Sequence, residues 1–84
     1  MRLPIIKHVT SFVEENDEDW VNEAIELLEH YTEAPGLKDG EMDVLGEMLS
    51  NLYGAIEVHK DMKNGKSQKE ALNDFMKRVT GSID

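Results

Sequence analysis

From about Gly40 to Asn64, apolar side chains recur at helical spacing for longer than in any other segment of the chain. Leu45, Met48, Leu49, Leu52, Ala55, Ile56, His59 and Met62 fall on one stripe. At 1.5 Å per residue such a helix spans roughly 37 Å, about twice the first helical segment. Short partners cannot cover all of it, so the excess meets either solvent or a second chain. Gly65 stands where a left-handed C-terminal residue is wanted, and Lys60 and Lys63 lie near the negative end of the dipole.

Three shorter segments also carry the helical period. In the first, about residues 4–15, Pro4 suits the first turn, and Ile5, Val9, Phe12 and Val13 share a face. The β-branched Ile6, Val9, Thr10 and Val13 make a strand the competing assignment there. Asn16-Asp17-Glu18-Asp19 lacks the glycine of a calcium loop and reads as the cap and acidic first turn of a second helix, about 18–33. On that helix Val21, Ala24, Ile25 and Leu28 form one stripe, and Trp20, Ala24, Leu27 and Tyr31 a second, which predicts a central helix touching two neighbours. Ala34-Pro35-Gly36 stops it. Ser67-Gln68-Lys69-Glu70 is a capping box opening a last helix, about 68–80, with Leu72, Phe75, Met76 and Val79 inside and Gly81 ending it. The expectation is one antiparallel all-α four-helix domain over residues 1–84.

At this size a core is marginal without help from disulfides, metal or a partner subunit. The chain has no cysteine, which removes disulfides, thiol catalysis and thiolate metal sites. A net charge of −9 repels phosphate backbones, so direct nucleic-acid binding is not expected. Residues 1–33 hold nine carboxylates against Arg2 and Lys7. Glu14, Glu15, Asp17, Glu18, Asp19, Glu23 and Glu26 therefore form an acidic face, either simply solvated or attractive to a basic partner. No apolar run approaches the ~20 residues of a membrane span, and a charge-broken N-terminus makes no signal-peptide core. A cytoplasmic, soluble protein is expected.

Gly46, Ser50 and Gly54 place three small residues at i, i+4 and i+8. An interior glycine costs about 1 kcal/mol of helix propensity, and a small-residue line offsets that by letting another backbone approach closely. The approaching helix comes either from the same chain or, about a two-fold axis near Ser50, from a second copy. His8, His30 and His59 lack metal-site spacing, with Leu27 and Ile56 standing where glutamates would be needed; His59 reads as a hydrogen-bonded, semi-buried side chain. Neither a phosphate loop nor a nucleophile elbow is present. Trp20 and the methionines read as core. No catalytic, cofactor-binding or metal residue is assigned.

Glu14-Glu15-Asn16-Asp17-Glu18-Asp19, Leu49-Ser50-Asn51-Leu52-Tyr53-Gly54-Ala55 and Phe75-Met76-Lys77-Arg78-Val79-Thr80-Gly81-Ser82 carry a resemblance over essentially the whole chain. The chain is similar to an uncharacterised family of small acidic all-helical bacterial proteins, a domain of unknown function. The resemblance supplies no activity and no catalytic residue. Members can be encoded near peroxiredoxin or thioredoxin proteins, which implies a redox-related partner rather than redox chemistry in a cysteine-free chain.

These features point to a non-enzymatic interaction module that self-associates as a homodimer, binds another protein, or both. A small enzyme or a ligand or metal carrier with a pocket between subunits is the first alternative. A regulator that binds basic proteins, or mimics DNA charge, is the second.

Overall fold

The computed structural model describes residues 2–81 and contains four helices: α1 (Leu3–Glu15), α2 (Glu18–Tyr31), α3 (Asp39–Lys63) and α4 (Gln68–Gly81). No strand occurs among the described residues, so the β-branched run of α1 is helical. The expected stop at Gly81 falls at the edge of this range, and Ser82 lies outside the described residues.

Local chemistry sets the ends. The Asp17 carboxylate accepts from the Asp19 N–H at 3.2 Å and caps α2, whose first turn holds Glu18 and Asp19 against the positive end of the dipole. Ser67 Oγ accepts from the Glu70 N–H at 3.2 Å and caps α4. At the end of α3 the Lys66 N–H bonds to Asp61 O and the Gly65 N–H to Met62 O, with Gly65 at φ +105°. That paired pattern is a Schellman motif, and its left-handed position accounts for the glycine. α2 stops two residues sooner than expected. The Thr32 N–H still reaches Leu28 O, while its hydroxyl donates to Glu29 O at 2.6 Å.

α3 is the helix on which the other three pack. This corrects the expectation that α2 is central. The C-terminal half of α3 is covered on two sides. Ile6, Ala55, Val58, Ala71, Leu72 and Phe75 form a core among α1, α3 and α4. Val13, Val21, Ile25 and Ile56 form a second among α1, α2 and α3, and Val9 packs against both. The result is a slab of 44 × 35 × 17 Å.

α1 is turned relative to the expected face. Ile6, Thr10 and Val13 are buried with Val9 beside them, whereas Ile5 and Phe12 are exposed. Thr10 enters the core because its hydroxyl donates to Ile6 O at 2.7 Å, leaving no unpaired polar atom. The buried stripe of α3 also includes Asn51, Gly54 and Val58, and excludes Met48. Asn51 Oδ1 accepts from the Arg2 N–H at 2.8 Å and so ties the start of α1 to the middle of α3.

Candidate interaction surface

α2 and α3 run antiparallel, as three contacts along their length show. At one end Glu18 Oε1 meets His59 Nδ1 at 2.9 Å, with Lys63 Nζ 3.6 Å from the other carboxylate oxygen. In the middle Ile25 packs with Ile56. Further along, Tyr53 donates to Glu29 at 2.8 Å. An ionised carboxylate only accepts, so Nδ1 of His59 carries the proton in the Glu18 pair. The His59 hydrogen bond, helped by the charges of Lys63 and His59, holds the Glu18 carboxyl below its ordinary value despite partial burial. On the exposed side the Glu29 carboxylate raises the Tyr53 phenol.

Towards its N-terminus from Asn51, α3 lies against α2, where Leu28 and Tyr31 share a hollow with Val44 and Leu45. Leu45 is buried there, but Met42, Val44 and Met48 are exposed. On α2 the stripe of Trp20, Leu27 and Tyr31 is likewise exposed, at 61%, 66% and 52%. Trp20, Met42 and Met48 are thus surface residues, which corrects the expectation that they belong to the core. α2 shows two apolar stripes because α1 and α3 cover only one of them.

The exposed stripes border two open hollows. One, of about 430 Å³, lies among Val9 and Phe12 of α1, Trp20 and Ala24 of α2 and Leu52 of α3, with His8 at its edge. The other, of about 710 Å³, lies among Leu28 and Tyr31 of α2 and Val44 and Leu45 of α3, with Lys38 and Glu41 at its edge. Leu27 and Met48 fall between the two in chain position. Together they make one long apolar face on an antiparallel helical hairpin, hollow at each end and aromatic at each end.

The small-residue line divides. Gly54 is buried where Ile6 and Phe75 close over it, Ser50 is half-buried, and Gly46 faces open space. Of the acidic face, Glu14, Glu15, Asp17, Asp19, Glu23 and Glu26 are exposed, whereas Glu18 is turned inward to His59 and Lys63. Asp19, Glu23 and Glu26, spaced i, i+4 and i+7, line one edge of α2 beside the Trp20/Leu27 stripe. His30 is exposed, and among the described residues no three His, Asp or Glu side chains group to hold a metal ion. No helix among them is long and apolar enough to cross a membrane. The signals for the apolar face were the second stripe of α2 and the excess length of α3; hydropathy alone did not say that both lie on the surface.

Fold and surface together define an all-helical, four-helix chain with a bare apolar face on a helical hairpin. The chain belongs to the family of unknown function DUF6952, whose model matches residues 1–84. No curated protein and no solved structure matches it.

Proposed function

We propose that this protein is a non-enzymatic helical interaction module whose contact surface is the apolar face of the α2–α3 hairpin. The observation that carries this is the joint exposure of Trp20, Leu27, Tyr31, Val44 and Met48 on neighbouring helices. Single exposed apolar residues are ordinary, but a contiguous set on two adjacent helices marks an interaction site. Acid–base or nucleophilic work calls for an enclosed polar pocket, and both hollows on this face are open and mostly apolar. A cytoplasmic setting suits a chain without cysteine.

Site-specific photo-crosslinking in the expressing cell tests this, with the probe at Leu27 and a control probe at the exposed Lys77 of α4. The expected result is a discrete protein adduct from residue 27 and none from residue 77. Equal labelling from the two positions would count against the face as a contact surface.

A further inference from the structure

Both hollows and the stripe between them run along the α2–α3 hairpin, with Val9 and Phe12 of α1 at one end, and two helices cannot bury such a face on their own. The usual solution is a second helical layer laid on the first. Within this chain the helices that could supply that layer, α1 and α4, are already committed to the C-terminal half of α3.

Resting on the reading of this face as a contact surface, we infer that its occupant is a second copy of the chain. Two α2–α3 hairpins pair face to face about a two-fold axis near Leu27 and Met48, completing an intermolecular four-helix bundle. Three observations favour this occupant. The first is area. Phe12, Trp20, Leu27, Tyr31, Val44 and Met48 are each 46–66% exposed. With side-chain surfaces up to about 150–250 Å² for the aromatic residues, they present on the order of 600 Å². That is at the top of the ~300–600 Å² of the largest patch on an ordinary monomer. Adding half-buried Ala24, Leu28 and Leu52 and a polar rim brings it near the ~800 Å² per partner of a stable complex.

The second is shape. The face carries an aromatic residue and a hollow at each end, with Leu27 and Met48 between. A two-fold axis at the middle lays the Trp20 end of one copy over the Tyr31 end of the other, so that each copy meets a hollow with a projecting side chain. The third is continuity with the core. Leu45 and Leu52 line the hollows while Leu45 is itself buried and Leu52 packs on the core, so the face extends the chain's own interior.

Charge sets the sign of a further property. Asp19, Glu23 and Glu26 edge the face in both copies, and each chain carries a net −9. Pairing therefore brings like charges together, and added salt strengthens it by screening them. A basic partner would show the opposite dependence.

Sedimentation velocity of the purified full chain, over a hundredfold dilution in low and high salt, reads this directly. The expected parent species has twice the 9.6 kDa chain mass, dissociates on dilution and tightens in high salt. Leu27→Glu and Val44→Glu, both at exposed positions, are expected to weaken association on the order of thirtyfold or more while keeping the parent's helical circular dichroism. A parent at one chain's mass throughout overturns the second copy. A Leu27 photo-adduct with a different protein would then keep the contact surface and reject the self-pairing, whereas absence of any adduct would reject both. A dimer that neither variant weakens, or that salt dissociates, overturns the pairing through this face.

Discussion

The side chain of Ile6 occupies the space that a β-carbon on residue 54 would need. Added there, that carbon would stand 2.8 Å from Ile6 Cδ1 and 3.2 Å from Cζ of Phe75. Gly54 is thus the point where α1 and α4 close onto α3, and its cost in helix propensity is offset by contact with two buried side chains.

Substitution at Gly46 and at Gly54 of α3 should have opposite signs. Gly54→Ala gains about 1 kcal/mol of helix propensity but overpacks a core where Ile6 is fully buried, at roughly 1–3 kcal/mol. A net loss near 1 kcal/mol lowers the melting temperature by about 4–8 °C in a domain of this size. Gly54→Leu should be worse. Gly46→Ala meets nothing within 4 Å and should raise it by a similar amount. Thermal unfolding followed by circular dichroism reads all three.

Glu18 joins the first turn of α2 to His59 and Lys63 on α3. Its carboxyl is held below the ordinary 4.5 in the folded chain, so its contribution is fully present above that pH and is lost as pH falls through the lower folded value. Glu18→Gln should cost about 1 kcal/mol at neutral pH, the worth of a partly exposed charge-assisted hydrogen bond. The gap between parent and variant should narrow below pH 4.5, as denaturant titrations at several pH values would show.

Thr10 is fully buried with its hydroxyl on the Ile6 carbonyl. That carbonyl keeps its helical N–H partner when the hydroxyl is gone, and valine has the same shape. Thr10→Val should change stability by less than about 1 kcal/mol, whereas Thr10→Ala leaves a void and costs more. Urea unfolding of both variants distinguishes them.

Trp20 is the chain's single tryptophan and sits at one end of the hairpin face, 61% exposed in the isolated chain. If a second copy covers it, its emission is blue-shifted in concentrated solution and moves to the red on dilution. Leu27→Glu should show the red-shifted emission at every concentration.

Helix ends were legible because single residues decide them: Asp17, Ser67 and Gly65 each perform the capping role their type and position suggest. Rotation about a helix axis was less legible. On α1 a threonine entered the core ahead of a phenylalanine because its hydroxyl is satisfied within its own helix. Gly46 and Gly54, eight residues apart, are offset by about 80° around the axis, so one crossing point takes only the second. Hardest to read was the difference between core and contact surface. Trp20, Leu27 and Tyr31 have the same hydropathy whichever kind of neighbour covers them, and only the placement of α1 and α4 on the far half of α3 leaves them bare.

Amide hydrogen exchange at high and low protein concentration tests the hairpin face most directly. In the isolated chain the N-terminal turns of α3 expose Met42, Val44 and Met48, so they should open more readily than the core around Ala55 and Val58. Face-to-face pairing predicts protection at residues 27–31 and 40–48 that falls on dilution, while residues 54–58 stay unchanged. Protection in both segments that is independent of concentration would contradict it.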